Sequence, residues 1–160
     1  MTGLSHFDES GASRMVDVGS KPVTERMARA SGSVTMASQT LRTILDRKAA
    51  KGDVFEVARL AGIMAAKKTH ELIPLCHALG LDSVGIDFRA IDDCTLGIEA
   101  TIRVHARTGV EMEALTAISV AALTVYDMCK SLDRGMSLGP FVLEEKSGGK
   151  SGQYLRGPTS

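Results

Sequence analysis

Residues 82–106 read DSVGIDFRAIDDCTLGIEATIRVHA, and the period of two in their apolar side chains decides the fold class. Val84, Ile86 and Phe88 alternate with other residues, as do Leu96, Ile98, Ala100, Ile102 and Val104 after a gap at Asp92-Asp93. Such alternation predicts two strands, each with one buried face, and the paired aspartates predict a hairpin turn between them. On both sides of the hairpin the period becomes helical. Upstream, VFEVARLAGIMAAKKTHEL at 54–72 follows Asp53, an N-cap residue, and ends near Pro74. Downstream a long helix is predicted from about Val110 to Leu132, and its stretch ALTAISVAALTVY at 114–126 carries no charge. A helix apolar on most faces is buried on more than one side, so this one is expected to pack on the sheet and on a second subunit.

Further out, SVTMA at 33–37 predicts a strand that stops at Ser38, read as the N-cap of a helix QTLRTILDRK at 39–48. The preceding MVDVGSKPVTERMARASG at 15–32 holds a short apolar alternation, Pro22 and a mixed polar run, and reads as an extended arm. A last strand is predicted near MSLGPFVLEEK at 136–146. The order β-α-α-β-β-α-β is α+β: a ferredoxin-like βαββαβ pattern with an extra helix, its antiparallel sheet packed on helices. A chain of 160 residues suits one domain. Residues 1–12 are expected to be disordered, 13–152 to form the domain, and 153–160 to be a flexible tail.

Nineteen basic and nineteen acidic side chains cancel, so no global field draws the protein to nucleic acid or anionic lipid. With four Phe, two Tyr and no Trp, a sheet surface that stacks RNA bases is not expected. The start MTGLSHFDES lacks an apolar signal region, and no apolar run reaches the ~18 residues of a membrane span. Three cysteines fit reduced thiols, and a cytoplasmic protein is expected.

Chemistry concentrates at turns and helix ends. HELIPLCHALG at 70–80 sets Cys76 beside His77 after the rigid Pro74. Adjacent ligands without a partner motif do not make a zinc site. A nucleophile and its base, a polar pocket wall and a hydrogen-bonded core histidine all stay open. Glu111 and Glu113 in TGVEMEA suit the positive end of a helix dipole. Asp127 and Lys130 in YDMCK are three apart and share a face, and the charge-free stretch before them predicts surroundings apolar enough to shift their pKa values. EKSGGKSG at 145–152 lacks the first glycine of a Walker A loop and a following helix, leaving Lys146 and Lys150 in a glycine-rich loop or tail fit for phosphates. Lys51 precedes the Asp53 helix start. Scattered lysines, a histidine and carboxylates form a set that a triphosphate undergoing acid-base chemistry would use.

KGDVF, IPLCH, TGVEMEALTA, VAALTVYDMCK and KSGGKSG, in this order and at these separations, resemble the cyclic pyranopterin monophosphate synthase family, from about residue 15 to Gly152. The resemblance implies a ferredoxin-like subunit of a homohexamer, a trimer of dimers with active sites at subunit interfaces. It implies a lyase of molybdenum cofactor biosynthesis that converts 3′,8-cyclo-7,8-dihydroguanosine 5′-triphosphate to the cyclic monophosphate and diphosphate. Carried over residue by residue, it makes Asp127, Lys130 and Lys51 catalytic, and Leu75, Cys76, His77, Glu111, Met112, Glu113 and Lys146 substrate-binding. No metal site and no required cofactor are implied, with magnesium open as a companion of the triphosphate. Ala78 departs from the proline often found after the histidine, which loosens the loop and leaves His77 in place. The alternative is a non-catalytic purine-triphosphate sensor, which would need the lysines but not the Asp127-Lys130 pair.

Overall fold

The computed structural model describes residues 10–157. The expected disorder of 1–12 therefore falls, over residues 1–9, outside the described residues. The hairpin forms as its alternation predicts, from β2 (Ser83–Ala90) and β3 (Thr95–Ala106). Val84 faces Ile102, Ile86 faces Ala100 and Phe88 faces Ile98. The first strand, β1 (Thr24–Thr35), lies antiparallel on the other side of β3. Beyond it come β5 (Val142–Ser147) and β6 (Tyr154–Leu155), giving the order β2-β3-β1-β5-β6, while β4 (Ser137–Leu138) pairs with the end of β1. All these pairings are antiparallel. With α1 (Ser38–Leu45), α2 (Val54–Lys67), α3 (Thr69–Leu72) and α4 (Glu111–Cys129), the chain is an α+β, ferredoxin-like fold.

One sheet face carries the core. Ala28, Ala30, Val34, Leu96, Ile98, Ala100, Ile102 and Val104 are buried beneath α4, which contributes Ala114, Ala117, Ile118, Ala121 and Val125. Burying each large aliphatic side chain stabilises by ~1.5–3 kcal/mol. The opposite face is polar, with Arg29 bridging Glu99 at 2.9 Å and Glu145 at 3.5 Å. Partly exposed pairs of this kind contribute only ~0–1 kcal/mol each, so the helix-side face dominates stability. By length and mean hydropathy α4 could cross a membrane, against the expectation that no run is long enough. Its apolar faces are instead spent on β1, β3, β5 and α2.

Several boundaries differ from the sequence reading. The first strand is 12 residues long, not the predicted 33–37, so half of the expected arm is strand. Its inward positions before Val34 are Arg26, Ala28, Ala30 and Gly32, too small or polar to announce a buried face. Ser38 does not cap α1. The cap is Ala37, whose N–H donates to Asp133 Oδ2 at 2.8 Å. The helix predicted over 54–72 breaks at Lys68, where the Thr69 hydroxyl bonds the carbonyls of Ala65 and Ala66. The predicted last strand is two, separated at Gly139-Pro140, where Gly139 has φ +105° and donates its N–H to Ser33 O. Within the expected tail, Tyr154 and Leu155 pair with Lys146 and Glu145.

What orients the helices is the approach of α2 to α4 at Gly62. A Cβ built there would lie 2.9 Å from the Ala117 carbonyl oxygen and 3.4 Å from Ala121 Cβ. A backbone carbonyl cannot rotate away as a side chain end can. Gly62→Val is expected to destabilise the protein by ~1–3 kcal/mol through overpacking. Chemical denaturation with an unchanged m-value and a lowered midpoint checks this, and an unchanged midpoint refutes the tight crossing.

Candidate active site

At the C-terminal end of α4 three of the predicted residues meet. Asp53 caps α2 by accepting the N–H groups of Phe55 and Glu56 at its Oδ1, 3.1 and 3.3 Å away. The chain enters that cap through Gly52, at φ +102°, a conformation suited to glycine. Because α2 runs antiparallel to α4, the residue before this turn, Lys51, arrives at the last turn of α4. Its Nζ donates to the Asp127 carbonyl at 3.0 Å and to Oδ2 at 3.4 Å. Lys130 Nζ donates to Asp127 Oδ1 at 2.6 Å. Two cations at a helix C-terminus also complement its dipole. The turn beyond is held by Asp133, bonded to the N–H groups of Ala37 and Gly135, and by the Tyr126 hydroxyl on Arg134 O.

The apolar surroundings expected here are absent from the single chain, where the Asp127 and Lys130 side chains are 60% and 51% exposed. The apolar stretch is the core part of the helix and ends before them. The Lys130 hydrogen bond and charge, then those of Lys51, hold the Asp127 carboxyl below its ordinary range. It is ionised at neutral pH and can accept a proton.

The other end of α4 gathers the predicted binding residues. After α3 the Cys76 N–H donates to Ile73 O at 3.3 Å, closing a turn with Pro74 and Leu75 at its centre. Leu75 has φ +65°, a left-handed conformation that bends the chain back toward α4. His77 Nε2 lies 2.8 Å from Val16 O and ties the arm over the site. Leu75, Cys76, His77, Glu111, Met112 and Glu113 line one cavity of about 320 Å³. Glu113 is 4% exposed. Burial pushes its carboxyl up, its own backbone N–H opposes this, and the charge of Glu111 adds to it. Burial, then the Glu113 charge, also raises the Cys76 thiol. A protonated thiol packs well and attacks poorly.

A second cavity of about 600 Å³ adjoins the first through Lys21, Thr108, Gly109 and Glu111. Lys146 lines it, with four further cations, Lys21, Arg26, Arg107 and Lys150, against one carboxylate, Glu111. Among the described residues none of the five is ion-paired. Arg26 is 9% exposed, and its Nε donates to Ala106 O at 3.4 Å. Its guanidinium fills the space a side chain on Gly149 would need. The buried Thr24 hydroxyl beside it has no hydrogen-bond partner among the described residues. Unpaired cations and an orphan hydroxyl around a cavity suit a multiply charged anion. Sequence reasoning missed Lys21, Arg26, Arg107 and Thr24. For Arg26 the signal existed: it is the charged member of the inward series on β1.

These two ends do not meet within one chain. Glu111 and Asp127 are sixteen positions apart, about 24 Å of helix. Lys51, Asp127 and Lys130 therefore form one cluster, and the six pocket residues with Lys146 form another. Among the described residues no group of three or more His, Cys, Asp or Glu side chains could hold a metal ion.

The MoaC family model matches residues 15–149, which include every residue of both clusters. The chain belongs to the MoaC family. It is 60% identical over 153 residues to a Mycobacterium tuberculosis protein named cyclic pyranopterin monophosphate synthase 1, covering 96% of this chain and 90% of the relative. Proteins named cyclic pyranopterin monophosphate synthase from Magnetococcus marinus and Brevibacillus brevis are 59% and 53% identical, over 157 and 154 residues. These alignments cover 98% and 96% of this chain and 96% of each relative. In this MoaC chain the match spans the arm beneath His77 and stops at Gly149, before β6.

The raised Glu113 carboxyl has a signed consequence for stability. Between the ordinary Glu value and its raised value, the folded protein keeps a proton that the unfolded chain has released, so stability falls as pH rises through that window. Glu113→Gln keeps the shape and removes the buried charge. It is expected to raise Tm at pH 8 by ~2–4 °C, with the gain shrinking as pH falls toward 4. A gain independent of pH, measured at fixed protein concentration, would show that the charge is not the cause.

Proposed function

We propose that this MoaC-family protein is a cyclic pyranopterin monophosphate synthase acting in molybdenum cofactor biosynthesis. It converts 3′,8-cyclo-7,8-dihydroguanosine 5′-triphosphate to the cyclic monophosphate and diphosphate, as a phosphorus-oxygen lyase. The observation that carries the reading is the pair of adjoining cavities, one ringed by five unpaired cations and the other by Glu113, Cys76 and His77. A triphosphate joined to a purine-derived ring needs such a charged end and such a polar pocket side by side.

In this reading Asp127, kept ionised by Lys130 and Lys51, is the base and Lys130 the acid for proton transfers at the ring nitrogens and oxygens. The cyclic phosphate closes when an internal hydroxyl attacks the α-phosphorus and the bond to diphosphate breaks. Charge then grows on the leaving oxygens, where Lys146 and Lys51 stabilise it and Arg26 can bind two oxygens at once. His77 and Glu113 hold the ring system, with Leu75, Met112 and the protonated Cys76 as its packed walls. Magnesium enters only as a companion of the triphosphate. We place the protein in the cytoplasm on its neutral charge and three free thiols, with no nucleic acid or membrane as partner.

A complete site then takes two copies, the Asp127 end of α4 from one and the Glu113 end from the other. This supports the homohexamer, a trimer of dimers, as does the exposure of Val57, Leu60 and Met64 on α2 and Leu123 on α4, apolar surface that a neighbouring copy would cover.

Asp127→Asn is expected to fold, bind the triphosphate and lose ~10²–10⁴-fold in kcat. Diphosphate release by the purified protein measures it, and retained turnover in the folded variant removes Asp127 as base. Co-expressed with His77→Ala, it tests the shared site. Two-fold pairing leaves one intact site in each mixed dimer, so about a quarter of wild-type activity should return. No recovery in mixed assemblies refutes the composite site, and full activity of His77→Ala alone refutes the role of His77.

A further inference from the structure

We propose that β6 is a latch that holds Lys146 and the loop 147–151 over the cation-lined cavity, so that the backbone pairing of Tyr154, Leu155 and Arg156 positions the anionic end of the ligand. The proposal rests on the reading of that cavity as the diphosphate end of the site.

Lys146 sits in the middle of a three-strand rung, with Ala28 of β1 on one side and Tyr154 of β6 on the other. Directly opposed residues in an antiparallel pair have Cβ atoms ~4.5–5.5 Å apart, so Tyr154 flanks the stem of Lys146. The next anchor is the Arg156 N–H, which donates to Glu144 O at 2.8 Å. Between the two strands the loop is closed by the Gly152 N–H on Gly149 O at 3.1 Å and by Lys146 Nζ on Ser151 Oγ.

The inner wall of this loop is fixed by contact. A side chain on Gly148 would strike Glu25 O, and one on Gly149 would strike the Arg26 guanidinium. Both glycines have positive φ. Among the described residues its outer wall is held by the short pairing with β6, whose Tyr154 and Leu155 are 41% and 65% exposed. A two-residue edge strand that buries so little belongs to the low-stability end of the structure and opens without unfolding the core. Closed, it keeps the ammonium of Lys146 at the cavity. Open, it frees Lys146 and the loop together, since Ser151 ties them.

The test separates backbone from side chain. Arg156→Pro removes the N–H that Glu144 accepts, Arg156→Ala keeps it, and a chain ending at Gln153 lacks β6 altogether. Calorimetry with inorganic diphosphate gives Kd, turnover of the triphosphate gives KM and kcat, and hydrogen exchange reports on 147–152. Arg156→Pro and the shortened chain should weaken diphosphate binding and raise KM by about three- to tenfold, lower kcat through the freed Lys146 by no more than that factor, and speed exchange in the loop. Arg156→Ala should match the wild type in all of these.

Equal Kd in Arg156→Pro and Arg156→Ala, or an equal loss in both, overturns the latch. So does a fall in kcat alone. If Arg156→Pro does not assemble, the shortened chain decides, and loss of fold in both also overturns it, because a latch is dispensable to the core. Diphosphate binding is read without turnover, so a protein that never converts the triphosphate still tests the latch. A wild-type chain that binds no diphosphate instead removes the cavity reading itself.

Discussion

The contact between α2 and α4 at Gly62 is the constraint on which the site depends. Along this crossing both helices present small residues, Ala58, Gly62 and Ala65 against Ala114, Ala117 and Ala121, with the Ala117 carbonyl where a side chain on Gly62 would stand. Backbones that close can settle in few relative positions, as interiors pack to crystal-like density. The antiparallel arrangement then sends each end of α2 to the opposite end of α4. The turn before α2 brings Lys51 to Asp127, and the chain after α2 returns Leu75, Cys76 and His77 to Glu113. Neither cluster is held together by its own ion pairs. Exposed pairs such as Lys51 with Asp127 contribute ~0–1 kcal/mol at most, so the helix packing positions the charges and the charges do not position the helices.

One helix thus carries two carboxylates in opposite environments. Asp127 stands in water between two ammonium groups and is held ionised, while Glu113 is covered by the loop and the arm and is driven toward its protonated form. Two carboxylates on one helix thus have pKa values pushed apart by their surroundings, one kept charged and one driven toward the neutral form. The causes of the two shifts differ. Cations favour the charged form of Asp127 by direct contact, and burial disfavours that of Glu113 whatever its neighbours do. Anything that covers Glu113 further adds to its shift in the same direction.

The sequence was legible where large apolar residues alternate. Ile86, Phe88, Ile98 and Ile102 mark the hairpin because a buried rung there needs bulk, and the charge-free stretch of α4 marks the central helix. It was illegible where the buried positions had to be small. The inward face of β1 holds Ala28, Ala30 and Gly32, and Gly32 abuts the Phe141 ring, so a pattern search for bulk finds nothing over 24–32. The cap of α1 was hidden for another reason: its acceptor, Asp133, is 96 residues away, and the adjacent Ser38 was the stronger local signal. In the site, Glu111, Glu113, Asp127 and Lys130 were named from motifs, and their grouping into two separate clusters follows from helix length. Arg26 and Arg107 belong to no motif and enter the cavity through the register of β1 and the turn after β3.

That division also bears on why a symmetric assembly suits this chain. In an isologous pair, whatever one copy offers to its partner it receives in return, so on the proposed reading a helix with the Asp127 cluster at one end and the Glu113 pocket at the other completes two sites with one interface. On that proposal the distance of about 24 Å between those ends is what a second copy bridges, since no rearrangement of loops in one chain could do so while α4 stays helical. An apolar stripe of Val57, Leu60 and Met64 running along α2, beside the helix that carries both clusters, places the surface a partner would bury next to the chemistry it would complete. On the proposed reading, loss of that contact separates Asp127 and Lys130 from the Glu113 pocket even in a subunit whose own fold is intact.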